Sequence, residues 1–227
     1  MLEPSRVERA VVSSSGEWLS TIDSREGDES FHGEVHLKVW RRESSTGLWI
    51  LNTRIDRPHG LARVTSIVFS PDDCSGNPLL ATSGEDGSVK SWRIRTVVNK
   101  KAGTSDGEVF QSTINFILID DFRVVFWVAR SRITFKREIP WSISWSPDGS
   151  LLAVGFGAYV TIYDPPSNAL IRTFATSELR GPVRSVHFLG HEGRFLAVAG
   201  CSDVVLWDLV TQKGKFHLFY SVICSKH

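Results

Sequence analysis

The sequence predicts an all-β fold made of repeated antiparallel sheets. Its most informative feature is a hairpin pattern, in which a short apolar run leads through a turn to a second apolar strand that ends in an aromatic residue. The four copies run from Trp18 to Trp40, Leu80 to Trp92, Leu152 to Tyr163 and Leu196 to Trp207. A further strand precedes three of them, in VTSIVFSPDD, PWSISWSPDG and VRSVHFLGHEG. Such self-similarity predicts sheets that stack side by side.

Three to four short strands per unit, separated by turn residues, are typical of a WD40 β-propeller blade. We expect about four blades of a larger, incomplete propeller, because rings of fewer than about six blades are uncommon. The partial propeller is predicted over 5–210, with units near 5–45, 46–98, 127–175 and 176–210. The remaining segments are predicted to be an insertion loop over 99–126 and a non-repeat tail over 211–227.

A buried hydrogen-bonded relay is predicted in the second unit. The WD40 pattern joins a His before the first core strand, a Ser or Thr on that strand, an Asp in the hairpin turn and a Trp. The corresponding residues here are His59, Ser66, Asp86 and Trp92. A buried carboxylate needs donors, which imidazole and indole N–H groups supply. The other units lack one or more of these residues, so we expect apolar packing to stabilise them.

The composition is that of a globular chain without the charge of a nucleic-acid-binding domain. The 227 residues include 26 basic and 25 acidic ones, which gives a net charge of +1 and argues against a phosphate-binding surface. Cys74, Cys201 and Cys224 are widely spaced and form no CxxC pair, which argues against a disulfide framework or a zinc site. No stretch has the length and apolarity of a membrane span, so no membrane contact is expected.

The sequence offers no pattern for catalysis. It contains no Gly-rich phosphate loop, no G-x-S-x-G elbow and no metal-ligand spacing. We therefore predict that the chain is not an enzyme, with no catalytic, cofactor-binding or metal-binding residues, no cofactor and no small-molecule substrate. A propeller of this kind acts by presenting rigid loops. Because Trp and Arg dominate interface hot spots, the candidate partner contacts are Trp49, Arg54, Arg57 and Arg180.

Several segments resemble a known family, the second propeller of WD repeat-containing protein 75. They include GEWLSTIDSRE over 16–26, VHLKVW over 35–40, LWILNTRIDRPHG over 48–60 and SPDGSLLAVGFGAYVTIYD over 146–164. The WILNTRI linker and the segment from Gly16 to Glu26 are the discriminating parts, because they are not generic WD40 sequence.

The resemblance implies a non-enzymatic scaffold subunit of the small-subunit processome, acting in pre-rRNA transcription and processing and in ribosome biogenesis. The implied location is the nucleus, in the nucleolus. The implied partners are other processome proteins that dock on the propeller rims, with pre-rRNA contacted only indirectly or weakly. The alternative is a WD40 substrate receptor of a ubiquitin ligase, or another generic WD40 interaction module. Trp92-Arg93-Ile94-Arg95 resembles the WDxR signature of such receptors but lacks its Asp.

Overall fold

Four antiparallel sheets, each of four strands, form the structure. It is a computed structural model that describes residues 4–27, 32–71, 77–98, 123–176, 179, 181–211 and 213–219. Within each sheet the strands follow one another in chain order, so each sheet is a meander. The prediction of an all-β chain with four WD40-type propeller blades is confirmed.

The blades are numbered in chain order. Blade 1 consists of β1 (Arg6–Val12), β2 (Trp18–Arg25), β3 (Glu34–Arg42) and β4 (Trp49–Asp56), and the short β5 (Pro58–Leu61) follows it. Blade 2 consists of β6 (Val64–Phe69), β7 (Leu80–Gly84), β8 (Ser88–Val98) and β9 (Arg123–Thr134). Blade 3 consists of β10 (Pro140–Trp145), β11 (Leu152–Phe156), β12 (Tyr159–Asp164) and β13 (Ala169–Ala175). Blade 4 consists of β14 (Ser185–Leu189), β15 (Phe195–Ala199), β16 (Asp203–Asp208) and β17 (Lys213–Phe219).

The repeated hairpins form because their sequence alternates and their turns contain glycine. In each blade the repeated Leu lies directly opposite the closing aromatic residue on the neighbouring strand, as Leu80 lies opposite Trp92. Gly87, with φ of 76°, supplies the left-handed conformation that the turn between β7 and β8 requires. Direct cross-strand partners share a face of the sheet, so the Leu and the aromatic residue mark one face of every blade.

The outer strands do not follow the predicted unit boundaries. β4 pairs with β3, although its residues were expected to begin the second unit. β9 pairs with β8, so part of the predicted insertion and the start of the third unit belong to blade 2. β17 pairs with β16 and completes blade 4, so the tail is not wholly outside the repeat. These boundaries differ because the strand that follows each closing aromatic residue pairs back on the strand that carries it, and so belongs to the preceding blade. Residues 99–122, 212 and 220–227 of the predicted loop and tail lie outside the described residues.

The core lies between the blades. We call the face that carries the Leu–aromatic pair the leading face of a blade, and the opposite face its trailing face. Between blades 1 and 2, the trailing residues Ile22, Leu37 and Val39 share a buried cluster with Leu80 and Trp92. Equivalent clusters join blade 2 to blade 3 and blade 3 to blade 4. Each junction therefore packs a leading face on the trailing face of the preceding blade.

Polar contacts also cross the junctions. The backbone N–H groups of Val186 and Phe188 in blade 4 donate to Ser142 Oγ at 3.1 Å and to Ser144 Oγ at 3.2 Å in blade 3. Between blades 1 and 2, the Asn52 Nδ2–H group donates to the Val125 carbonyl at 2.8 Å. These bonds fix the lateral position of one blade on the next, which apolar packing alone does not specify.

Candidate functional site

A hydrogen-bonded relay in blade 2 links four side chains from β5, β7, the β7–β8 turn and β8. His59 Nδ1 lies 2.8 Å from Asp86 Oδ1, and His59 Nε2 lies 2.9 Å from Thr82 Oγ1. The Trp92 Nε1–H group donates to the same Thr82 oxygen at 3.0 Å. The relay therefore runs from Asp86 through His59 and Thr82 to Trp92, and ties the chain before β6 to the central hairpin of the blade.

The proton positions follow from the chemistry of the two ends of this relay. An indole N–H can only donate and a carboxylate can only accept. In the neutral imidazole, His59 Nδ1–H donates to Asp86, and Nε2 accepts the Thr82 hydroxyl proton. The Thr82 oxygen then accepts from Trp92. Every donor in the relay has an acceptor, so burial leaves none of these groups stranded.

Burial and hydrogen bonding set the charges at the relay. Burial lowers the pKa of His59 below its usual value, against the opposing influence of the Asp86 carboxylate. Burial alone would raise the pKa of Asp86, but hydrogen bonds from Ser88 and His59 outweigh it and hold that pKa below its usual value. Ser88 Oγ donates to Asp86 Oδ2 at 2.7 Å, and the Ser88 N–H group donates to Oδ1 at 3.1 Å. At neutral pH the relay therefore contains a neutral imidazole and an ionised carboxylate.

The assignment of Ser66 to this relay is wrong, and Thr82 takes its place. Strict alternation from Val64 would put Ser66 on the leading face, beside His59. A β-bulge between Val64 and Ser66 adds one residue, so Ser66 pairs with Ser83 and lies on the trailing face. Thr82 lies two residues after the repeated Leu80, on the leading face with Trp92. Its place in the repeat is the signal that could have identified it.

Blade 3 replaces the relay with aromatic side chains. Phe135 precedes β10 by the same number of residues as His59 precedes β6. It packs against Phe156 and Tyr159, with ring centroids 5.4 Å and 5.6 Å away. Val154 lies opposite Thr161 at the register position of Thr82. When both partners of a buried hydrogen bond are replaced by apolar groups, the cost is small. Apolar packing was predicted to stabilise the units that lack a complete relay, and blade 3 has such packing at these positions.

Blade 1 contains a related polar arrangement that the sequence reasoning missed. The Trp40 Nε1–H group donates to Thr21 Oγ1 at 3.3 Å, and the Thr21 hydroxyl donates to Asp23 Oδ1 at 2.8 Å. Lys38 forms an ion pair with the same carboxylate. Thr21 follows Leu19 as Thr82 follows Leu80, so the repeat itself carried the signal. Here the Asp lies on the strand, two residues beyond the Thr, instead of in the hairpin turn.

An exposed apolar strip lies at the start of β4. It consists of Leu48, Trp49, Ile50 and Leu51, all of which are exposed. β4 is the outermost strand of its sheet, so its free edge faces away from β3. Exposed aromatic and aliphatic side chains on such an edge are typical of interaction surfaces. Trp49, one of the candidate partner contacts, belongs to this strip.

The other candidate contacts do not form one patch with Trp49. Arg54 has partners within the chain, since its Nε–H group donates to Asp56 Oδ1 at 2.8 Å and Nη2 lies 3.2 Å from His36 Nε2. Arg57 is exposed and has φ of 52°, just beyond β4. Trp49 and Arg57 therefore lie at opposite ends of β4, roughly 25 Å apart at the usual strand rise. Arg180 lies outside the described residues.

The described part of the chain offers neither a metal site nor a membrane-spanning helix. Within the described ranges, no group of three His, Cys, Asp or Glu side chains is arranged to hold a metal ion. The same ranges contain no helix with the length and apolarity needed to cross a membrane.

Comparison with known proteins finds relatives over most of the chain. The family described as WD repeat-containing protein 75 second beta-propeller matches residues 1–114, and the WD domain, G-beta repeat, matches residues 132–164. The chain is 26% identical over 208 residues to WD repeat-containing protein 75 of Xenopus laevis, covering 89% of this chain and 22% of the relative. It is 28% identical over 180 residues to WD repeat-containing protein 75 of Homo sapiens, covering 79% of this chain and 19% of the relative. The chain thus spans about a fifth of the length of these curated relatives.

Proposed function

Because this chain belongs to the WD repeat-containing protein 75 family, we propose that it is a scaffold subunit of the small-subunit processome. In this role it acts in pre-rRNA transcription and processing, and so in ribosome biogenesis, in the nucleolus. The chain is a WD40 interaction module, and propellers of this family are generally non-catalytic. The processome role is proposed from the family membership.

The observation that carries the proposal is the family match over residues 1–114. That range contains blade 1, the complete relay and the apolar strip Leu48–Leu51. It also contains the WILNTRI linker, which forms β4 and separates this family from generic WD40 sequence. The family-specific residues therefore include an exposed edge, where a partner can bind, and not only the buried repeat.

The structure supports binding by preformed surfaces. The relay holds the chain before β6 against the central hairpin of blade 2, and bonds between neighbouring sheets hold the blades in place. A surface on such a rigid sheet loses little conformational entropy when a partner binds. Within the proposal, Trp49 and Arg57 are partner contacts, since both are exposed. Contact with pre-rRNA is proposed to be indirect, because a net charge of +1 supplies little attraction for phosphates.

The proposal is tested by tagging the full-length protein at its own locus and identifying the proteins that co-purify with it. We expect subunits of the small-subunit processome. A Trp49→Ala and Arg57→Ala double variant is expected to lose part of this set, because both side chains are exposed contacts. Leu170→Ala is the matched control, since Leu170 is also an exposed apolar residue on an outer strand.

One result would contradict the scaffold role, and another would contradict only the contact residues. Recovery of a cullin adaptor in place of processome subunits would favour the ubiquitin-ligase receptor. Recovery of the full processome set with the double variant, at wild-type yield, would remove Trp49 and Arg57 as contacts while leaving the scaffold role in place.

A further inference from the structure

Three basic side chains lie together at the junction between blades 1 and 2, beside the relay. Lys90 on β8 lies directly opposite Arg132 on β9. The Lys90 ammonium group donates to the carbonyl of Pro58, and Arg57 directly precedes that residue in the chain. Arg57 and Arg132 are exposed, whereas Lys90 is half-buried. We call Arg57, Lys90 and Arg132 the basic cluster.

Both blades hold the basic cluster in place. The Arg57 backbone N–H group donates to the Val35 carbonyl of blade 1 at 2.8 Å. His59 follows two residues later and belongs to the relay of blade 2. Burial is the main cause of the lowered pKa of His59, and the positive charges of Lys90 and Arg132 add to it. The three cations therefore surround one part of the relay and form a single patch.

The basic cluster lacks counter-charges. Within the residues that the structure describes, none of its three members forms an ion pair with a carboxylate. Lys38 and Arg54 in blade 1 are also directly opposite each other, but each of them binds its own carboxylate. Like charges at directly opposite positions destabilise a sheet. The repulsion between Lys90 and Arg132 is therefore not offset by an acidic side chain in the described part of the chain.

The backbone of Arg57 has a conformation that few residues with a side chain adopt. Its φ is 52°, in the left-handed region, which is costly for residues other than glycine, asparagine and aspartate. Ile133 precedes β10 by the same number of residues as Arg57 precedes β6, and its φ is not positive. The blade repeat therefore does not require this conformation. An exposed cation kept in a costly conformation points to a binding role.

The surroundings favour a short acidic ligand over a long nucleic acid. Asp56 precedes Arg57 in the chain, and Asp86 is ionised within the relay. These carboxylates limit the positive potential to the basic cluster, so an extended polyanion would meet repulsion close to it. The cluster also contains no aromatic side chain on which a base could stack. Carboxylates on a peptide match both its size and its charge.

We propose that the basic cluster binds an acidic segment of a partner protein, whose Asp or Glu carboxylates bridge Arg57, Lys90 and Arg132. A guanidinium donates two parallel hydrogen bonds to one carboxylate, which makes arginine well suited to this contact. An anion between Lys90 and Arg132 also replaces their repulsion with attraction. The inference rests on the proposed function, in which Arg57 is a partner contact, and it names the chemistry of that partner.

The test is fluorescence anisotropy of a short fluorescein-labelled oligo-glutamate peptide, titrated with the purified full-length protein. We expect saturable binding that weakens as the salt concentration rises. Arg57→Asn and Arg132→Gln are each expected to raise the dissociation constant by roughly tenfold, because each removes a charged hydrogen-bond donor. Arg95→Gln is the matched control, since Arg95 is exposed on the same strand as Lys90, roughly 17 Å away at the usual strand rise.

Thermal unfolding of the same variants separates binding from a structural role. Arg57→Asn places a residue that tolerates positive φ at this position, and Arg132→Gln removes the like-charge pair. Neither variant should therefore have a lower melting temperature than the wild type. Residues that only maintain the fold would give the opposite result, with a lower melting temperature accompanying any loss of binding.

Four results would overturn the inference. The first is a wild-type protein that does not bind oligo-glutamate, and the second is an equal loss of binding in Arg95→Gln and Arg132→Gln. The third is weaker binding that is matched by a lower melting temperature in both cluster variants. The fourth is tighter binding of an oligo-uridylate of equal charge that the same variants abolish, which would assign the cluster to RNA.

The peptide titration and the co-purification of processome subunits have separate outcomes. Recovery of processome subunits by a protein that does not bind oligo-glutamate overturns the inference about the basic cluster and leaves the scaffold role in place. Binding of oligo-glutamate at the cluster without recovery of processome subunits supports the acidic ligand and overturns the scaffold role.

Discussion

At the residue scale, the hydroxyl group of Thr82 joins the two halves of the relay. Its hydroxyl oxygen is shared by His59 Nε2 and Trp92 Nε1. The equivalent positions in blades 3 and 4 hold Val154 and Val198, so a valine side chain fits this part of a blade. The difference between Thr and Val here is therefore one of hydrogen bonding and not of shape.

Replacing Thr82 with Val should leave His59 Nε2 and Trp92 Nε1 without partners inside the blade. We expect Thr82→Val to lower the free energy of unfolding by about 1–3 kcal/mol, the usual cost of stranded buried groups. Ser66→Ala, on the opposite face, should cause a smaller loss. Urea denaturation followed by tryptophan fluorescence measures both. Equal losses in the two variants would show that the relay is not the source of the effect.

The lowered pKa of His59 predicts that stability decreases as the pH falls. The unfolded chain binds this proton with a pKa of about 6.5, and the folded chain binds it with a lower pKa. Between those two values the unfolded state carries more protons, so the stability contribution is complete above about pH 6.5 and is lost as the pH falls through the folded pKa. Asp86, whose folded pKa is also lowered, acts in the same direction at more acidic pH.

His59→Gln removes the titrating imidazole and isolates this contribution. The difference in unfolding free energy between the wild type and His59→Gln should shrink as the pH falls from about 7 to about 5. Only the wild type has an imidazole here, so only the wild type loses stability when that group is protonated. Denaturant unfolding at several pH values measures the gap. A gap that stays constant over this range would contradict a neutral, buried His59.

At the element scale, the junctions between blades depend on close approach of strands. Gly155 lies on β11, on the trailing face of blade 3, where an added Cβ would come within 2.6 Å of Val183 Cγ1 and 2.9 Å of Val186 Cγ2. Ser142, its cross-strand partner, bonds blade 4 at the same place. Glycine therefore allows β11 to approach blade 4 closely enough for both the packing and the hydrogen bond.

Gly155→Ala should force these strands apart. We expect a loss of about 1–3 kcal/mol in unfolding free energy, as for other overpacked sites. Val183→Ala removes the closest atom, so the Gly155→Ala and Val183→Ala double variant should lose less than the sum of the single losses. Thermal and urea unfolding of the four proteins complete the cycle. Strict additivity would show that the two sites do not touch.

At the scale of the whole molecule, the blades differ in how much of their surface is covered. Among the described residues, blades 2 and 3 each contribute to two buried clusters, whereas blades 1 and 4 each contribute to one. In stacked repeats, stability comes from each unit and from its nearest-neighbour interfaces. The central blades should therefore open less often than the end blades.

Native-state hydrogen exchange tests this order. In the 227-residue chain, we expect the slowest amide exchange on β7 and on β11, and faster exchange on β2 and β15. Uniform exchange across all four blades would show that the four sheets unfold as one unit.

The sequence by itself determined the inner strands, the central hairpins and the family, because alternation, turn glycines and the repeated Leu–aromatic pair are local signals. It also placed His59, Asp86 and Trp92 at one site. Only the tertiary structure decided that Thr82 and not Ser66 completes the relay, because a single bulged residue in β6 exchanges the two faces of the strand. It alone assigned β4, β9 and β17 to their blades, because an outer strand is defined by the neighbour it pairs with and not by its own sequence.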